Sequence, residues 1–255
     1  ERLLTELEKA DNHLVVLPEC CLYFGGEEGD QLALAKQTQH SDYLLKKLAS
    51  LARKYQVTLV AGSIPLLSND EEKFTNTCCV FSKTGQLLSK YHKIHLFDVD
   101  VNDQTQRYFE SSHTLAGNKP VTVKTDFADL GLSICYDLRF PELFRALANQ
   151  GVDIITVPSA FTAVTGKAHW QALLQARAIE NQCFIVAAGQ QGVHENGRET
   201  WGHSMIISPW GDILACLPEG VGSITAVYHA DELKKVRQAM PINIHNQFTV
   251  ELKNS

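Results

Sequence analysis

Short apolar runs recur along this chain and alternate with amphipathic stretches. That alternation most limits what the chain can fold into. Residues 13–17 (HLVVL), 57–61 (VTLVA), 77–81 (TCCVF), 131–134 (GLSI), 154–157 (IITV) and 184–188 (FIVAA) are too short for buried helices and read as buried strands. Residues 87–91 pair back on 77–81 through the turn Lys83-Thr84-Gly85, a hairpin. Further strands are expected over 121–124, 204–208, 213–216 and 224–228. Helices are expected over 2–9, 42–54, 141–149 (opening on Pro141), 168–181 and 231–239. Helices and strands in alternation, mixed with hairpins, imply a layered α/β fold rather than an all-parallel sheet.

At 255 residues with 44% hydrophobic and 20% charged residues, the chain can build one large domain with a sizeable core. An opening helix is unusual in such a fold, and the chain begins at Glu1 rather than Met, so a first strand ahead of Glu1 is expected. The net charge of −6 counts against nucleic acid, whose phosphates call for a basic face. No apolar run reaches the roughly 18 residues of a membrane helix, and no signal peptide is visible. Seven cysteines, with Cys20-Cys21 and Cys78-Cys79 adjacent and no C-x-x-C spacing, form a poor disulfide or zinc framework. Reduced thiols and a cytoplasmic location are expected.

Three of the strands run into reactive residues: 15–18 (VVLP) into Glu19, 88–92 (LSKYH) into Lys93, and 131–134 (GLSI) into Cys135. Sites in α/β sheets gather where strand ends meet loops. A lone cysteine is ordinarily an inert core hydrophobe. Cys135, however, lies between a strand and a helix that opens at Pro141, where a thiol would be exposed, close to free backbone N–H groups, and where the helix N-terminus would help stabilise its thiolate. Glu19 follows an apolar strand, where desolvation would raise its pKa and suit it as a general base. The plain alternative, a solvated loop glutamate, is favoured by local context alone. Lys93 could supply fixed positive charge to an oxyanion or be an ordinary strand-end lysine. His92 and His95 would face opposite sides of an extended segment, so no metal is expected there. His169 and His203 read as packing groups or as hydrogen-bond partners that support the site residues. The polar, aperiodic stretch 98–117 reads as a long functional loop.

Taken in order, LPEC, KIHLFD, CYDLRFPEL, VPSAF, HWQALLQARAIENQ and GHSMIISPWG resemble the nitrilase superfamily, the carbon–nitrogen hydrolases, over nearly the whole chain. The resemblance implies a four-layer α-β-β-α sandwich that dimerises through helices beside the active site. It implies a Glu19–Lys93–Cys135 triad, with Glu110 of RYFESS as a second glutamate that orients the lysine. CYDLRFPEL and SAFTAVTGKAHW look closest to the deaminated glutathione amidase branch, with the ω-amidase branch as neighbour. The tail PINIHNQF departs from the arginine-rich ending of many relatives. A small carboxylate-bearing amide would then be the substrate, cleaved through a thioester with no cofactor. The Tyr136 backbone N–H would complete the oxyanion site. Phe161 and Thr162 would wall the pocket, and Arg139 or Arg177 could anchor a carboxylate. A papain-like reading needs a His base and leaves the Glu19 strand without a role. A catalytically silent binding member would not need every matched position.

Overall fold

The computed structural model describes residues 4–253, apart from 6, 8, 9, 28, 102 and 104–106. Period-two burial organises its first sheet. In β1 (Leu14–Val16), Leu14 and Val16 face one core, while Val15 and the following Leu17 face another. β2 (Thr58–Val60) sends Leu59 and Val60 to the same two sides. In β4 (Phe74–Phe81) the adjacent thiols part in the same way: Cys78 and Val80 go inward, Cys79 and Phe81 outward. β4 pairs with β5 (Leu87–His92) on one side. On the other it pairs with β2 and with β3 (Ile64–Leu67), while β1 lies parallel to β2.

Between β1 and β2 come α1 (Asp30–Thr38) and α2 (Tyr43–Tyr55). Leu44, Leu48 and Ala52 recur every four residues on α2 and cover the outer face at Leu59, Ile64, Cys79 and Phe81. The ribbon β6 (Asp98–Asp100) and β7 (Arg107–Phe109) then leads to the second sheet. Its strands are β8 (Thr122–Lys124), β9 (Asp129–Leu132), β10 (Ile154–Thr156), β11 (Phe184–Ala187), β14 (Ser204–Ile207) and β15 (Ile213–Leu217). Their order is β15-β14-β11-β10-β9-β8, with β9, β10 and β11 parallel. A second ribbon, β12 (Gln191–Val193) with β13 (Glu199–Trp201), intervenes. α3 (Pro141–Asn149) and α4 (Ala163–Asn181) close that side. Val60, Val80 and Tyr91 of the first sheet share one core with Leu130, Leu132 and Ile155 of the second and with Phe144, Leu147, Trp170 and Leu174 of the two helices. The layers therefore run helix, sheet, sheet, helix, which is the expected α-β-β-α sandwich. α5 (Ala230–Ala239) is tied on by Arg237, which donates to the Gln182 and Val152 carbonyls at 3.2 and 2.6 Å. α6 (Ile242–His245) follows. No helix among the described residues is long and apolar enough to cross a membrane, and all seven cysteines are unpaired.

Several expectations need correction. Residues 98–117 are not featureless: they carry the β6–β7 ribbon and a 3₁₀ turn, Glu110–Ser112. Residues 224–228 form no ladder among the described residues; Tyr228 instead packs edge-on to Phe184 at 5.2 Å. β3 was hidden by Pro65, which is tolerated because β3 pairs only with β4. α4 starts five residues before the expected 168, through Gly166, where any side chain would run into Trp201. The expected helix over 2–9 lies largely outside the described residues.

Gly62, between β2 and β3, has φ +50°, and the Pro18 carbonyl occupies the space a Cβ would need. That close approach seats the chain just ahead of Glu19. Gly62→Ala should therefore cost about 1–3 kcal/mol of stability. Thermal unfolding should show a midpoint lower by several degrees, and an unchanged midpoint would show that Pro18 yields freely.

Candidate active site

Glu19, Lys93 and Cys135 sit just past the ends of β1, β5 and β9, and the sandwich brings these ends together between its two sheets. All three are shielded from solvent, at 5%, 2% and 7% exposure, so their charges interact with little screening by water. Lys93 Nζ donates to Glu19 Oε1 at 2.9 Å and to both oxygens of Glu110, at 3.1 and 2.9 Å. The remaining lone pairs are also filled. Asn76 Nδ2 reaches Glu19 at 3.0 Å and Glu110 at 3.3 Å. The Ala160 N–H donates to Glu19 Oε2 at 2.9 Å, and the Phe97 N–H to Glu110 Oε2 at 2.7 Å. Gln190 Nε2 holds the Glu19 carbonyl at 3.0 Å.

Cys135 occupies a strained elbow. Its φ of +48° is unusual for a residue with a side chain. The 3₁₀ turn Cys135–Arg139 follows at once. Its own N–H is spent on the Pro158 carbonyl at 2.8 Å, whereas the Tyr136 N–H makes no backbone bond among the described residues. The elbow is braced by fully buried Asp137. Its carboxylate accepts from the Ile134 N–H at 2.9 Å, Tyr91 OH at 2.7 Å and the His95 N–H at 3.1 Å, and it lies 2.7 Å from His95 Nδ1. Because Tyr91 and His95 flank Lys93, one carboxylate ties the lysine segment to the cysteine turn.

Burial pushes the Cys135 thiol well above its ordinary value; the Glu19 charge adds to this, and Lys93 only partly opposes it. Burial alone would raise Glu19 too. The Lys93 charge and hydrogen bond, with those from Cys135 and the Ala160 N–H, overcome it and hold the carboxyl below its usual value. Burial likewise favours neutral Lys93, but Glu110 and Glu19 outweigh it and raise the lysine. The resting site is carboxylate, ammonium and thiol. Two expectations are thereby corrected. Glu19 is not raised, because an apolar strand says nothing about the cation at its end. The helix beyond the elbow does not make Cys135 a resting thiolate, because burial and Glu19 dominate.

The four residues open on a cavity of about 470 Å³, which Tyr136, Phe161 and Thr162 also line. Arg139 is not among its lining residues. It stacks over the Phe161 ring at 5.1 Å and lies 3.3 Å from His169 Nδ1, behind the aromatic wall. Arg177 is structural: Nε donates to the Leu138 carbonyl at 3.0 Å and Nη1 to Glu180 at 2.8 Å. Of the two histidines expected to pack or hydrogen-bond, His203 stacks on Trp201 at 4.1 Å, whereas His169 is exposed and meets only the Arg139 guanidinium at 3.3 Å among the described residues. His92 lies 2.8 Å from Thr77 Oγ1. Asn76, Gln190, Asp137 and Arg198 were missed by sequence reasoning. Only Asn76 left a trace, as a poor strand former inside an otherwise β-rich run, FTNTCCVF.

The carbon–nitrogen hydrolase family model matches residues 1–238. The chain is 46% identical to the deaminated glutathione amidase of a Synechocystis species, over 97% of this chain and 91% of that one. It is 35% identical to Omega-amidase NIT3 of Saccharomyces cerevisiae, over 95% and 84% of the two chains. The crystal structure of the C. elegans NitFhit protein superposes with a TM-score of 0.84 at 37% identity, covering 95% of this chain and 59% of that chain.

Thiolate absorbance in the ultraviolet, as the difference between the wild type and Cys135→Ser, reads the cysteine directly. The Cys135 step should lie above the ordinary thiol value of 9.0. Glu19→Gln removes the neighbouring negative charge and leaves Lys93, so the step should move to lower pH. A step below 9.0 in the wild type, or no shift in the variant, would contradict the charge assignment.

Proposed function

The chain belongs to the carbon–nitrogen hydrolase family, and from that we propose that it hydrolyses the amide of deaminated glutathione, releasing 2-oxoglutarate and cysteinylglycine. The buried contact of a carboxylate, an ammonium and a thiol carries the chemistry. The 46% identity to a deaminated glutathione amidase carries the substrate.

In this scheme Glu19 takes the Cys135 proton as the sulfur attacks the amide carbonyl. The oxyanion forms against Lys93 and the Tyr136 N–H. Glu19 then protonates the leaving amine, and a thioester remains on Cys135. Water, deprotonated by Glu19, hydrolyses the thioester and frees the acid. Glu110 holds Lys93 in line throughout. The scheme calls on no metal or organic cofactor. A resting thiol suits it, because the proton is needed at the leaving nitrogen. Exposed Val164 and Ile179 on α4, with exposed Trp210, support a homodimer. Seven unpaired thiols support a reducing, cytoplasmic setting.

Cys135→Ala should lower kcat by about 10⁴-fold or more, and Glu19→Gln by about 10²–10⁴-fold. Lys93→Met leaves two buried carboxylates facing each other and should also destabilise the fold, by about 3–5 kcal/mol. Adding Glu110→Gln should recover much of the thermal midpoint but no activity; recovered activity would remove Lys93 from the chemistry. Because Glu19 is held below 4.5, the acid limb of kcat/KM should fall below that pH, and a limb near neutrality would point to a different base. Turnover of deaminated glutathione is compared with that of α-ketoglutaramate, the second reading favoured by the identity to yeast Omega-amidase NIT3. Faster ammonia release from α-ketoglutaramate would make this chain an ω-amidase instead.

A further inference from the structure

We propose that Arg198 is the anchor for a substrate carboxylate, so that the cavity selects anionic amides. The proposal deepens the amidase reading above and rests on it. An anionic substrate needs a cation that is not already spent. Three lysines and arginines line the cavity: Lys93, Arg107 and Arg198. Lys93 is neutralised by two carboxylates. Arg107 is exposed at the surface, 3.8 Å from Asp100. Arg198 enters no ion pair among the described residues, and its Nε is buried with no hydrogen-bond partner there. Buried donors in folded proteins are almost always satisfied. An orphaned guanidinium nitrogen on a side chain that lines the same cavity as Cys135 therefore points to an acceptor that arrives with the ligand.

The group is also held ready. Its guanidinium lies between two rings, 5.0 Å from the centre of Phe24 and 4.9 Å from that of Tyr108. These faces stabilise the charge while leaving the in-plane N–H groups free. The backbone is fixed as well. The Arg198 carbonyl accepts from the His194 N–H at 2.8 Å, and its N–H donates to Asn196 Oδ1 at 3.1 Å. Asn196 is bonded in turn to the Gly25 and Gly26 carbonyls, at 3.0 and 2.9 Å, in the segment following Glu19. The β12–β13 ribbon thus carries the cation to the catalytic cleft as a rigid fork. Such a fork suits a planar carboxylate better than a lysine would.

Deaminated glutathione carries one carboxylate on the acyl side of the scissile bond and one on the leaving peptide; α-ketoglutaramate carries only the first. Arg198→Gln should raise KM for deaminated glutathione about 10- to 100-fold with little change in kcat. Arg198→Lys should fall between, keeping charge but losing the fork. An equal rise for α-ketoglutaramate assigns the acyl-side carboxylate. No rise for it, and none for the C-terminal amide of deaminated glutathione, assigns the leaving side. A loss of kcat with KM unchanged for every acid would overturn the proposal, as would no change at all. If the wild type cleaves α-ketoglutaramate but not deaminated glutathione, the substrate reading fails and Arg198 is still judged on the former. Binding gives a check independent of turnover. Either 2-oxoglutarate or cysteinylglycine should protect wild-type Cys135 from iodoacetamide and lose that protection in Arg198→Gln. Equal protection of both proteins, or none of the wild type, would count against the anchor.

Discussion

The buried cluster of Glu19, Lys93 and Glu110 is the constraint on which the rest of the structure depends. Removing one cation and two carboxylates from water is expensive, and their attraction offsets that cost only when every remaining lone pair is filled. Here Asn76 and the backbone N–H groups of Ala160 and Phe97 complete the set. These donors come from β4, from the loop after β10 and from the segment before β6. The cluster therefore exists only in the assembled sandwich, and the two sheets are locked in one relative position by it.

The same constraint accounts for the protonation states. With Lys93 held as an ammonium by two carboxylates, Glu19 stays ionised despite burial, and its charge adds to the desolvation that keeps Cys135 protonated. In the proposed mechanism, base and nucleophile thus rest in the states from which one proton transfer would begin the reaction. A preorganised, water-poor site of this kind needs little rearrangement as charge develops on the substrate.

Rigidity is supplied locally. Asp137 gathers donors from both sheets and fixes the Cys135 elbow against the Lys93 segment. Gly62 lets the Pro18 carbonyl pack where no side chain could fit. Two ribbons outside the main sheets, β6–β7 and β12–β13, bring Glu110 and Arg198 to the same cavity. Apart from Trp201 of β13, which packs against the large core, the ribbons lie outside it, which suits them to shaping specificity.

The amino-acid sequence by itself determined the layers: apolar runs with period two and helices with period near four specify which faces must be buried, because burial follows the side-chain direction of each element. The adjacent cysteines of β4 illustrate this, one facing each core. It also marked Glu19, Lys93 and Cys135 as strand-end residues, and its ordered motifs pointed to Glu110. The tertiary structure alone decided what depends on distance between remote segments. It set the sign of the Glu19 shift, since the Lys93 that lowers it lies 74 positions away. It put Arg139 behind the aromatic wall and Arg198 inside the cavity. It made Asn76 and Asp137 indispensable partners rather than a polar residue in a strand and an acid in a turn. Periodicity records only which way a side chain faces; the charges and donors it meets there are set by how the elements pack.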